Sequence, residues 1–219
     1  MAVDTIITIG RQAGSGGREI GRLVADILGI PFYDKELLER AAEESGFSKE
    51  FFMKHDEKRT SSFIYSLAMD SPSPGFSAAI PGMPINHKFF LAQFNTIKTI
   101  AKEGGCVIVG RCADYALEEN PHLLSIFIHA DYEFRVKRCM QELSIDEYKA
   151  RELINKTDKQ RASYYNYYTG RKWGVATNYE IALKSSVFGV EETARFIASM
   201  ARIKAAVDHG DPEKTEDEA

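Results

Sequence analysis

No apolar run in this chain approaches the roughly 18 residues of a membrane span, and no Arg/Lys-led leader precedes the apolar strand that follows Met1. Both absences point to a cytoplasmic protein without a membrane partner. Charge of neither sign dominates: a formal net charge of −4 gives no general attraction to nucleic acid, so any basic site must be local. Cysteine is scarce. Cys106, Cys112 and Cys139 form neither an even disulfide set nor a close ligand pair, and the five histidines are scattered, which excludes a structural zinc site. Cys106 and Cys139 read as small buried hydrophobes; Cys112 lies beside a candidate site.

What is present is an ordinary globular composition, 44% hydrophobic and 27% charged, enough apolar residues for one continuous core. A single domain is expected over residues 1–208, followed by an acidic tail, 209–219, with the composition of a disordered segment. Short β-branched or apolar runs at Thr5–Ile9, Phe32–Tyr33, Cys106–Val109, Leu123–His129 and Tyr179–Leu183 read as strands. Helical periodicity occupies Arg18–Leu28, Lys35–Ser45, Ser48–Lys54, His87–Lys102, Ala113–Glu119, Glu133–Leu143, Asp146–Tyr168 and Glu191–Val207. Strands alternating with helices at this spacing predict an α/β fold, a three-layer α/β/α sandwich around a central parallel sheet. Between Asp70 and Pro84, four prolines and two glycines exclude regular helix or central strand, so a flap is expected within an insertion at about 46–86. The apolar helix at His87–Ile100 is compatible with pairing to a second chain as a homodimer or with core packing.

The most informative stretch is Gly10-Arg11-Gln12-Ala13-Gly14-Ser15-Gly16-Gly17-Arg18-Glu19, a glycine-rich turn between the first strand and the first helix. Glycines allow positive φ and close approach, while successive N–H groups and the helix dipole suit the negative oxygens of a polyphosphate. A tight turn without a ligand would not require four glycines.

This loop resembles that of the cytidylate kinases, G-P-S-G-A-G-K-G, and more closely the divergent branch of cytidylate kinase-like proteins; Arg11 to Arg18 superimpose on it without a gap. The resemblance implies a P-loop NTPase fold of the nucleoside monophosphate kinase type. It also implies phosphate contacts from Arg11, Gln12, Gly14, Ser15, Gly16, Gly17, Arg18 and Glu19. In ordinary P-loop enzymes a lysine reaches the β- and γ-phosphates and the following Ser/Thr ligates magnesium. Here those positions are Gly17 and Arg18. Arg18 or Arg11 is left to supply the missing charge.

Other segments extend the resemblance. Asp34 matches the aspartate opening D-[ST]-G-A-M-Y-R, although Lys35 to Leu38 depart from that motif. It would position the acceptor, directly or through a magnesium-bound water, or else cap the following helix. Gly110-Arg111-Cys112 stands where the family has G-R-D, so Arg111 is an acceptor contact or a surface ion pair, and Asp114 replaces the aspartate only if the backbone turns differently. Arg135 and Arg138, one turn apart, bracket an anion or lie on a solvated face. Asp158 and Arg161 resemble the spaced R-D-x-x-D-x-x-R pattern, with Asn155 in place of its first charge, and with Lys156 and Lys159 they imply a lid at 155–174. Tyr164 and Tyr165 share a helical face with Arg161, as packing or as ligand contacts. Lys184 replaces the aspartate of the family's final strand.

The resemblance therefore implies an ATP-dependent phosphotransferase using Mg2+ on a small acceptor, by analogy CMP or dCMP, with Arg18, Asp34 and Arg161 as catalytic residues. Two alternatives stand beside it: a nucleotide-binding regulatory or sensor protein, favoured by the missing lysine, and a kinase of another small acceptor.

Overall fold

Alternation within the short strands divides their side chains between two cores. In β3 (Cys106–Val109), Cys106 and Ile108 point to one face and Val107 and Val109 to the other; in β1 (Ile6–Arg11), Ile6 opposes Ile7 and Ile9. Burial on both faces is what a parallel sheet between helical layers requires. The chain is described by a computed structural model over residues 4–34, 37, 39–41, 43 and 85–208. The flap at 70–84, the helix expected at Ser48–Lys54, most of the one at Lys35–Ser45 and the tail at 209–219 lie outside the described residues.

Five strands form one sheet in the order β2-β3-β1-β4-β5, with β2 at Phe32–Tyr33, β4 at Leu123–His129 and β5 at Ile181–Lys184. Every pairing is parallel, and β1 is central, with Ile6 opposite both Cys106 and Leu123. α1 (Gly17–Leu28) covers one face through Ile20 and Val24, together with Ala194, Ile197 and Ala201 of α6 (Ser185–Asp208). The opposite face is covered by α2 (Ile85–Ala101), whose Phe89, Ile97 and Ile100 join Ile6 and Ile108, and by α3 (Ala113–Ala116). The apolar face of α2 is thus core.

Two more helices, α4 (Tyr132–Leu143) and α5 (Glu147–Thr169), pack through Val136, Cys139, Ala150 and Ile154. Asp146 caps α5, its side chain accepting from the Lys149 N–H at 2.9 Å, and Gly170 closes it in the left-handed region. Positions 155–169 of the expected lid are therefore the second half of a continuous 23-residue helix. α3 is a single turn rather than Ala113–Glu119, because Leu117 already has φ −114° and ψ 12°. α6 begins six residues before the expected Glu191 and is broken at Gly189, whose φ of 75° and ψ of 175° are not helical.

Ile126 is fully buried at the centre of β4. Ile126→Ala is expected to lower unfolding free energy by roughly 3 kcal/mol through lost burial and a residual cavity, a change readable in urea denaturation with an unchanged m-value.

Candidate active site

The carboxyl ends of β1, β2 and β3 bring three otherwise distant segments together: the loop after Ile9, Asp34, and Gly110–Asp114. This edge is where open α/β sheets hold ligands. The loop leaves β1 at Arg11, and the Gln12 N–H still donates to Ile128 O at 3.0 Å. Gly14 and Gly16 then take φ of 74° and 78°, which a β-carbon would oppose. α1 starts at Gly17 with no side chain capping its first turn, so its leading N–H groups face the loop's concavity.

Side chains from three other elements hold this loop in shape. Asp158 on α5 accepts the Ala13 N–H at 2.7 Å and binds Arg135 Nη1 at 2.6 Å; the same guanidinium reaches Ala13 O at 3.2 Å. Arg161, one turn further along α5, donates to Arg11 O at 3.1 Å. Ser185 Oγ donates to Ser15 O at 2.7 Å and His129 O at 3.2 Å. Gln12 accepts from the Ala130 N–H through its side chain at 3.2 Å. Ser15 is fully buried and its hydroxyl donates back to Gln12 O at 2.8 Å, so it stabilises the turn from within.

Position 17 has no room for a lysine. A β-carbon on Gly17 would lie 2.5 Å from Cβ and 3.1 Å from Cγ of Arg11, well inside van der Waals contact. Arg11 therefore occupies the volume that the usual lysine stem would need. Side chains at positions 11 and 17 thus compete for one volume, a steric exchange between the two positions.

Two cavities flank this contact. One, of about 470 Å³, lies over the loop between Gly14, Gly16, Arg18, Arg22 and Arg138; the other, only about 20 Å³, lies at the carboxyl ends of β1 and β3, walled by Arg111, Cys112, Asp114, Tyr165, Trp173 and Tyr179. Arg11 and Arg161 line both. Glu19 faces the first cavity and is bound to Arg138 Nη2 at 2.8 Å, an arginine also paired with Glu142. Lys156 and Lys159 are exposed and line neither cavity.

Asp34 is 5% exposed and lines neither cavity. Its Oδ2 accepts from Arg18 Nε at 2.5 Å and its Oδ1 from Arg111 Nη1 at 3.1 Å. Burial alone would raise its carboxyl, but Arg111, Arg18 and Arg11 outweigh that and hold it below the usual carboxylate range. Arg111 is 3% exposed and also donates to Val109 O at 2.9 Å, so it is not a surface ion pair. It reaches this position because Gly110, Arg111 and Cys112 successively take φ of 77°, 58° and 55°. For non-glycine residues such backbone costs about 1–3 kcal/mol each and persists where surrounding contacts enforce it.

That turn brings Asp114 into the second cavity in the absence of an aspartate at 112. Tyr165 Oη donates to Asp114 Oδ2 at 2.7 Å. Burial raises the Asp114 carboxyl above its ordinary value, with the tyrosine hydrogen bond opposing; burial and Asp114 together push the Tyr165 hydroxyl upward. Tyr164 also walls the second cavity, and its hydroxyl donates to Gln93 of α2 at 2.9 Å.

Ordinary phosphate loops place a magnesium-binding hydroxyl directly after the lysine. The residue after the lysine position is Arg18, which cannot ligate a cation, and both Asp34 oxygens carry guanidiniums. Among the described residues, no group of three or more His, Cys, Asp or Glu could hold a metal ion.

Sequence reasoning did not find Ser185, Arg22 or the strut formed by Arg135. Arg22 lies four residues after Arg18 on α1, a spacing that signals a shared face, and its guanidinium sits 4.4 Å from the Phe32 ring centroid. Ser185 carries no local signal, since its two carbonyl partners are 170 and 56 residues away.

Two outcomes follow for the loop. Asp34→Ala leaves Arg111 buried without its counter-charge and is expected to cost roughly 3 kcal/mol at pH 7. Because the folded carboxyl titrates below its unfolded value, this contribution is complete above about pH 4 and fades as pH falls. Denaturation curves of wild type and variant should accordingly converge in acid. Gly17→Lys is expected to destabilise the fold by about 1–3 kcal/mol through overpacking, and Arg11→Gly/Gly17→Lys to lose less than Gly17→Lys alone. Strict additivity in that double-mutant cycle would contradict the steric exchange.

Comparison with known proteins agrees with this architecture. The chain is 29% identical to an uncharacterized protein from Eubacterium ventriosum ATCC 27560, covering 90% of this chain and 98% of that one with a TM-score of 0.68. A shikimate kinase from Bacteroides thetaiotaomicron, 14% identical, covers 90% of this chain and 98% of its own at a TM-score of 0.51. A gluconokinase from Sinorhizobium meliloti 1021, 13% identical, covers 96% and 99% at 0.50. These last two likenesses concern the fold. No match is found among the curated proteins. Residues 6–187 match the cytidylate kinase-like family, a span from β1 to the start of α6 that contains every residue of the site. The chain belongs to the cytidylate kinase-like family.

Proposed function

We propose that this chain is an ATP-dependent phosphotransferase that moves a γ-phosphoryl group to a small phosphorylated acceptor, with CMP and dCMP as the acceptors that the family suggests. The observation carrying this reading is that Arg11 and Arg161 line both cavities. A cation between donor and acceptor stands where charge develops in phosphoryl transfer, and catalysis of that reaction is mostly positioning and electrostatics. The N–H groups from Gly14 to Arg18 hold the donor phosphates. Arg11 takes the part of the absent lysine, while Asp34 fixes Arg18 and Arg111 from behind. The second cavity, about 20 Å³ here, must widen to admit an acceptor; Asp114 and Tyr165 would then offer hydrogen bonds beyond its phosphate, and Trp173 and Tyr179 aromatic surface.

The engagement of the carboxylates favours a phosphate over a hydroxyl acceptor. A hydroxyl must give up a proton as it attacks, and Asp34 is committed to two arginines and Asp114 to Tyr165. A phosphate monoester, with its second pKa near 6, already presents an unprotonated oxygen at neutral pH. That oxygen forms a bond to Pγ, the bond from Pγ to the β-bridging oxygen breaks, and ADP leaves without a general base. The alternative of a nucleotide-binding sensor draws support from Gly17, and turnover separates the two.

In a coupled assay across nucleoside monophosphates, ADP formation should depend on acceptor. Arg11→Ala should lower kcat by about 10²–10³ and leave the unfolding midpoint within a few tenths of a molar. Tight ATP binding without acceptor-dependent ADP from any monophosphate would sink the nucleoside monophosphate reading, and the same result with every small acceptor tried would favour the sensor.

A further inference from the structure

The residues that hold magnesium in a P-loop enzyme are a hydroxyl just after the lysine and a carboxylate at a strand end. In this chain the first position is Arg18, at the opening turn of α1, and the nearest strand-end carboxylate is Asp34, just beyond β2. The two are bound directly to each other, Nε to Oδ2 at 2.5 Å, and the second carboxylate oxygen is bound to Arg111 at 3.1 Å. Arg18 is 57% exposed by side chain, so part of its guanidinium stays open to the cavity over the loop. The other carboxylates around that cavity are also engaged, Glu19 and Glu142 by Arg138. A fixed positive charge thus stands where a metal ion and its ligands would.

We infer that the Arg18–Asp34 ion pair takes the place of protein-held magnesium, so that the loop binds a nucleoside triphosphate in its metal-free form with Arg11, Arg18 and Arg161 as counter-charges. This rests on the reading of the loop as a polyphosphate cradle. The charges suffice in kind: a guanidinium offers several N–H donors in a fixed fork and stays charged at every accessible pH, whereas Arg18 offers no oxygen to a metal and the negative charge of Asp34 is already balanced by a guanidinium on each oxygen. Arg18→Thr restores the residue type that ordinary P-loops use and releases one Asp34 oxygen. It is therefore the substitution that should convert the site to metal dependence.

The test is calorimetric titration of the full chain with ATP in excess EDTA and again in excess Mg2+. Wild-type affinities in the two conditions should agree within about fivefold. Arg18→Thr should bind metal-free ATP about tenfold or more weakly than wild type and recover most of that loss when Mg2+ is added. Arg18→Lys, which keeps the charge, should remain metal-independent and serves as the control for folding. Tightening of wild-type binding by about tenfold or more with Mg2+, or unchanged metal-free binding by Arg18→Thr, overturns the inference. Failure of wild type to bind ATP in either condition overturns the cradle reading itself, and this inference with it.

Discussion

The β-carbon of Arg11 stands where any side chain at position 17 would have to pass. Much of the site follows from that contact. A lysine stem cannot rise from the start of α1, so positive charge must enter from the other limb of the loop. Entry from Arg11 places it at the seam between two cavities instead of inside one. Arg161 then fixes the Arg11 carbonyl, which joins the loop to α5. A steric condition at one backbone position thereby sets the electrostatic layout of the whole edge of the sheet.

Two rigid elements maintain that layout. Asp34 organises arginines from α1 and from the turn after β3, and its burial makes the arrangement costly to disturb. α5 carries Asp158 and Arg161 against the loop and Tyr165 against the second cavity within two turns of one helix. Movement of this helix would alter both cavities together.

The sheet was legible because both-face burial writes itself as short continuous apolar runs, and the loop because a strand, four glycines and a helix start are adjacent in sequence. Arg111 was legible as a candidate but not its conformation: three successive left-handed residues, two of them Arg111 and Cys112, have no local sequence signature. Asp34 was read as an acceptor or magnesium-water contact or as a helix cap; its two arginine partners were not foreseen. That difference arises from Arg18 and Arg111, which lie 16 and 77 residues away in sequence. The lid was inferred from charge spacing; of its charges the helix presents Asp158 and Arg161 inward, while Lys156 and Lys159 face solvent. Spacing identified the face that matters without identifying which charges lie on it.

The central claim is that Arg11 serves the loop as the lysine serves other phosphate loops. A crystal structure with a non-hydrolysable ATP analogue tests it most directly. The account predicts terminal phosphates against the N–H groups of Gly14 to Arg18, with the Arg11 guanidinium on the γ-phosphate. Phosphates seated there with Arg11 turned away, or a nucleotide bound elsewhere, would contradict it.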